Sequence, residues 1–404
     1  MQLKSLITLI LRCIALFLLA AVAAAFAQQS PATKPDSTSL AGAPGAATSA
    51  PPSAPSTPKT DAPAPAGQSK PEATPVMPEL KQEPHLDPSG KPLYETIQED
   101  WSSLQVTTSN LVVQPPLVGE VADETKFTRT LVRLQWRPGD PVDLWIVQPK
   151  GVKKPPVVLY LYDYIEDPEK FRSKVWCERV TSGGFAAVGF LSALSTDRFR
   201  DRPLKQWFVS ELQESLGSTV HDVKFILDYL ESRGDLDMTR VGMFGQGSGG
   251  AIAILSAAAD SRIKVIDTLE PWGDWPDFLV QSPIVSADPK REDYSKPEFL
   301  KKVAPLDPVK WLPTLKVPIR VQQVQHYLAV PMETKDAIKA ALPKQAELSR
   351  FEGLGELSSR EGGGALFWWI KEKVQDSGKP AEGNDAKKSI AVETGSDPSS
   401  TVHP

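Results

Sequence analysis

The chain has 404 residues, a formal net charge of −5 and 38 prolines that are unevenly spread along it. A charge this mild, with no long run of Lys and Arg, gives no stripe for tracking phosphates and excludes nucleic acid as an expected partner. No Cys/His pair has zinc spacing and no calcium loop is present, so neither a metal nor any other cofactor has sequence support.

In chain order, Lys4 and Arg12 precede an apolar run from Cys13 to Phe26, and Ala25-Phe26-Ala27 follows as a small-residue cleavage site. This pattern predicts a signal peptide over 1–27, hence export to the periplasm or the extracellular space. The apolar run is shorter than the roughly 18 to 20 residues that span hydrocarbon, so no transmembrane segment is expected after cleavage. Only Cys177 then remains, and an intramolecular disulfide is impossible.

Residues 28–90 are mostly Pro, Ala, Ser and Thr, as in Ser49-Ala50-Pro51-Pro52. Such a segment cannot bury enough apolar area to offset its ordering entropy, so a disordered linker is predicted. If extended as polyproline II it would reach about 180 Å, at roughly 3.1 Å per residue. A polar tail over 376–404 is also expected to be disordered.

Between them, residues 91–375 read as one α/β domain. Leu131–Trp136 and Val142–Gln148 alternate apolar with polar residues around Arg137-Pro138-Gly139-Asp140, a hairpin signal. Pro156–Leu161 and Phe185–Phe190 are nearly continuous apolar runs, as in strands buried on both faces of a parallel sheet, with a helix predicted over Phe171–Val180 between them. Val220, Val223, Leu227 and Leu230 share one helical face ending at Gly234. Val241–Phe244 then enters a sharp turn, Gly245-Gln246-Gly247-Ser248-Gly249-Gly250, followed by a small-residue helix, Ala251–Ala259. Strands Ile263–Leu269 and Val317–Val321 flank a Pro- and Trp-rich excursion at about 271–314. A helix near Glu333–Ala341, a strand near Ala346–Phe351 and a helix holding Trp368, Trp369 and Ile370 complete the pattern.

Strand, Gly-x-nucleophile-x-Gly-Gly and small-residue helix together resemble the nucleophile elbow of the α/β-hydrolase superfamily, especially its dienelactone-hydrolase, acetyl-xylan-esterase and prolyl-oligopeptidase-like branches. The resemblance implies a mostly parallel central sheet with helices on both faces and a small cap at 271–314. It also implies a Ser-Asp-His triad, but Gly247 stands in the serine slot. Tyr327, before Ala329-Val330-Pro331, stands where the acid is expected, and Glu356, after Gly353-Leu354-Gly355, where the histidine is. Tyr162-Asp163 replaces the His-Gly pattern of the oxyanion loop, while Ser248 would lend that site its backbone N–H. Ser248 also reads as a helix N-cap.

The expectation is therefore an exported domain, inactive as a serine hydrolase, that binds a small-molecule, carbohydrate or peptide ligand at the vestigial cleft, with Trp272, Trp275, Asp274 and the nearby Asp277 and Trp311 as candidate contacts. One alternative is an active esterase or peptidase with relocated groups. Of the four histidines, only His326 lies at the catalytic edge of the sheet, which makes Ser248 and His326 the candidate pair. The other alternative is a structural envelope protein. The sequence leaves the oligomeric state open.

Overall fold

The computed structural model describes residues 100–104, 113–137, 140–195, 198, 212–286 and 291–378. The expected signal peptide, the linker and nearly all of the tail lie outside them.

The described strands form a nine-stranded sheet in the order β1-β2-β3-β5-β4-β6-β7-β8-β9. Strands β1 (Leu117–Asp123), β2 (Phe127–Arg137) and β3 (Asp140–Pro149) form an antiparallel meander. From β4 (Pro156–Leu161) and β5 (Ala186–Phe190) onward the pairing is parallel, through β6 (Asp237–Gln246), β7 (Ile263–Leu269), β8 (Ile319–Val324) and β9 (Glu347–Phe351). Edge strand β1 was not expected from the sequence. Leu117, Val118 and Val121 are exposed, so it carries no buried apolar face to signal it.

Side chains alternate across the sheet with the strand period of two. Val157, Leu159 and Leu161 enter one core, under α2 (Leu212–Arg233) and α3 (Ser248–Ala259). Val158, Tyr160 and Tyr162 enter the opposite one, with Val180 of α1 (Lys174–Thr181) and with Ile370 and Val374 of the last helix, Trp368–Ser377. Burial on both faces explains why these strands read as continuous apolar runs.

The helix predicted over Phe171–Val180 is two pieces, a 3₁₀ turn Pro168–Arg172 and then α1. Ser173 adopts an extended conformation between them, and its hydroxyl accepts from the Trp176 N–H at 3.5 Å. The excursion after β7 folds as α4 (Trp275–Gln281), α5 (Pro297–Val303) and shorter turns. After β8 come α6 (Met332–Ala340) and, beyond β9, α7 (Leu354–Glu361). None of the described helices is long and apolar enough to cross a membrane.

From β4 the chain steps to β5 on one side, returns past β4 to β6, and continues away on the other side. The carboxyl ends of β4 and β6 therefore bound the topological switch point, where open α/β sheets leave a crevice. Asp163 lies two residues beyond β4 and Gly247 directly follows β6.

Candidate functional site

The turn between β6 and α3 is centred on Gly247, at φ 57° and ψ −120°. This is a conformation that L side chains rarely adopt and that elbows store as strain. It is held from both sides. The Gly247 N–H donates to the Leu269 carbonyl at 2.9 Å, and its own carbonyl accepts from Gly250 N at 3.0 Å and Trp272 N at 3.2 Å. A Cβ at Gly249 would run into the Leu161 carbonyl, so the helix can meet β4 this closely only with glycine there.

A Cβ at Gly247 would lie 2.5 Å from both Cγ and Oδ2 of Asp163. The carboxylate thus occupies the space into which a nucleophile would project. Its Oδ1 accepts from Tyr164 N at 2.9 Å, Ser248 N at 3.2 Å and the Ser248 hydroxyl at 2.8 Å. An amide just after the elbow residue and an amide from the loop after the third core strand are the two donors of a hydrolase oxyanion hole. Here both converge on a side-chain oxygen of the chain itself. Burial raises the Asp163 carboxyl to about 6, against the opposing bonds from Ser248 and Tyr164.

Gly247 and Asp163 sit in a cavity of about 440 Å³. Tyr162, Trp176, Leu269, Leu354, Leu357 and Phe367 give it apolar walls, and Glu270 and Tyr327 add polar groups. Trp176 Nε1 donates to the Tyr162 hydroxyl at 2.8 Å, which fixes both rings. Glu270 follows β7 at φ 50° and is 4% exposed. It accepts from the Val324 N–H and pairs with Lys335 Nζ at 3.2 Å. Lys335, projecting from α6, also donates to the Val324 carbonyl at 2.6 Å and the Tyr327 carbonyl at 2.8 Å. Burial raises the Glu270 carboxyl to about 7, with the Lys335 charge opposing. The cavity wall beyond is tied to the sheet by Arg320. Its guanidinium bonds both oxygens of the buried Asp267 at 2.9 and 2.7 Å, and the Leu366 carbonyl at 2.8 Å.

Among the sequence-predicted residues, Gly247, Tyr162, Asp163 and Tyr327 line this cavity. Ser248 is fully buried beneath it, and its hydroxyl bonds Asp163. The N-cap reading of Ser248 is corrected, because Gly247 is the cap and Ser248 the first helical residue. Glu356 does not reach the cavity. It points outward on α7, accepting from Glu352 N at 2.7 Å and from Arg360 at 3.2 Å, because the chain after β9 turns into a helix that presents Leu354 and Leu357 instead. His326 is 71% exposed in its side chain, with Nε2 3.1 Å from Glu352, and no hydrogen bond joins it to Ser248. Trp272 and Trp275 are 1% exposed in the core rather than against the cavity, where Trp275 Nε1 donates to the Leu306 carbonyl at 3.1 Å. Trp311 donates to the Pro305 carbonyl, and Asp274 begins α4 with its carboxyl raised to about 6 by burial and by Asp277 and Asp307. His221 is buried on α2, its Nε2 at 3.2 Å from the Ser103 carbonyl.

Glu270 and Lys335 were missed by the sequence reading. The available signal was an acidic residue ending an apolar strand, Ile263–Leu269, at the edge where α/β sites gather. Among the described residues, no group of three or more His, Cys, Asp or Glu is placed to hold a metal ion.

No family model matches the chain. One curated relative is YtaP of Bacillus subtilis (strain 168), classed as a hydrolase by inference, 28% identical over 141 residues. That match takes in 30% of this chain and 45% of YtaP, so the chain spans less than half of that relative's length. Among solved structures, an acetyl xylan esterase from Paenibacillus sp. R4 superposes over 65% of this chain and 89% of its own at 18% identity, with a TM-score of 0.53. An acylaminoacyl peptidase of Pyrococcus horikoshii matches 62% of this chain and 41% of its own at 16% identity and a TM-score of 0.49. With the parallel sheet and the sharp strand-to-helix turn after β6, the esterase superposition shows that the chain has the α/β-hydrolase fold, with Gly247 in that turn.

Proposed function

We propose that this chain is an exported, non-hydrolytic α/β-hydrolase-fold protein that binds a small ligand in the cavity at Gly247. The observation that carries the reading is the Asp163 carboxylate, which fills the nucleophile's space and takes both oxyanion-hole amides. An acyl group cannot be activated there, because the donors meant for its developing negative charge already hold a carboxylate oxygen. The groups that would replace the triad are also apart. Ser248 is bonded to Asp163, and His326 is exposed beside Glu352. Losing a triad as a unit costs about six orders of magnitude in turnover, leaving the binding terms. A mostly apolar cavity of about 440 Å³ falls within the size range of small-molecule sites and supports a binding role over a purely structural one.

The test uses the purified chain with short-chain aryl esters and a fluorophosphonate probe. The expected result is no ester turnover above buffer and no labelling above a heat-denatured control. Labelling that disappears in Ser248→Ala would overturn the reading in favour of a relocated nucleophile.

A further inference from the structure

The non-hydrolytic binding reading can be deepened to a ligand class. We propose that the cavity takes an organic ammonium ion, its charged head at Asp163 and its apolar body between Tyr162, Trp176, Leu269, Leu357 and Phe367.

Asp163 is 8% exposed, and all of its hydrogen bonds fall on Oδ1 and come from amides and a hydroxyl. Among the described residues its Oδ2 receives none, and no cation is paired with the carboxylate. Glu270, another acid of the cavity, is compensated by Lys335, and the remaining donors of Lys335 go to the Val324 and Tyr327 carbonyls. Lys170 and Glu166, also on the cavity wall, pair with each other at 2.9 Å, and Arg179 and Glu361 add one further charge of each sign to it. Among the described residues the Asp163 charge is therefore left without a cation partner in a largely apolar cavity, which is costly until a cation enters.

The hydrogen-bonding inventory agrees. A primary ammonium has three donors and no acceptor. The cavity offers Asp163 Oδ2 and the Tyr327 hydroxyl, neither of which makes a hydrogen bond among the described residues, while the third donor is left to water. Both residues line the same cavity. The walls suit a cation as well as an apolar body, since aromatic faces attract positive charge. Lys170 Nζ already lies 3.6 Å from the Tyr162 ring centroid. An anionic ligand would meet Asp163 with like charge, and a neutral one would leave that charge unpaired.

The experiment is isothermal titration of the full chain at about pH 7.5, with 3-phenylpropylammonium, 3-phenyl-1-propanol and 3-phenylpropanoate as matched probes. The ammonium is expected to bind about ten- to a hundredfold more tightly than the alcohol, as a hydrogen-bonded charge contributes, and the carboxylate not at all. Asp163→Asn should abolish that preference while the alcohol's affinity stays within about threefold, and Tyr327→Phe should weaken the ammonium about three- to tenfold. Circular dichroism checks that each variant is folded, and Tyr327→Phe carries the test if Asp163→Asn is not. Equal or tighter binding of the alcohol or the carboxylate, or a preference that survives both substitutions, overturns the ammonium assignment and leaves the cavity a binding site. No heat from any of the three probes overturns both readings.

Discussion

If Asp163 fills the space of the missing side chain, Gly247→Ala should be destabilising for two separable reasons. The new Cβ would meet Asp163 Cγ and Oδ2 at 2.5 Å, which no real contact tolerates, and overpacking of this kind costs about 1–3 kcal/mol. The backbone at φ 57° and ψ −120° adds about 1–3 kcal/mol of strain for an L residue. Gly247→Ala alone should therefore cost about 2–6 kcal/mol. In an Asp163→Ala background only the strain term remains, so the two substitutions should couple by about 1–3 kcal/mol. Urea unfolding of the wild type, both single variants and the double variant closes the cycle, and the broken hydrogen bonds of Asp163 cancel within it. Additivity within about 0.5 kcal/mol would mean that the carboxylate and the vacated side chain do not share space, and the explanation of Gly247 would fail.

Burial also raises the Asp163 carboxyl to about 6 from its ordinary 3.8, so the folded state binds this proton more tightly than the unfolded state does. The contribution is full below about pH 4 and is lost as the pH rises through about 6, on the order of 2–3 kcal/mol. The stability of the wild type measured against Asp163→Asn should fall across that window and be level above it; a flat difference would contradict the burial argument. At the cavity wall, Arg320→Met should cost about 3–5 kcal/mol by leaving Asp267 charged and unpaired, whereas Arg320→Met with Asp267→Asn should recover much of the loss. Thermal or urea unfolding of the two variants separates a stabilising pair from a merely tolerated one.

The strands and the elbow were legible because they are written in local periodicity. Val157, Leu159 and Leu161 face one core and Val158, Tyr160 and Tyr162 the other, so the continuous apolar run of β4 carries its own placement. Gly245 is held small by the Gly249 carbonyl within the same turn, so the small-residue spacing of the turn could be placed from the sequence alone, whereas the contacts of Gly247 and Gly249 with Asp163 and Leu161 could not. The break at Ser173 was not legible, since a side-chain cap competes with a helical pattern that otherwise continues. Trp272 and Trp275 had the composition of a binding cleft, but both are buried in the core that the excursion shares with the sheet, α2 and α3, a packing that no local pattern announces.

The sequence by itself determined the fold class and the glycine-bearing turn after β6, because both follow from residue size and spacing along the strands, turns and helices. It also marked Asp163 and Tyr327 as residues of the cleft edge. Only the tertiary structure decided what stands against Gly247. Asp163 and Gly247 are far apart in the chain and meet because β4 and β6 are neighbours at the switch point of the sheet. The same long-range packing brings Lys335 to Glu270 and turns Glu356 outward, since α6 and α7 are oriented by the sheet they cover rather than by their own residues.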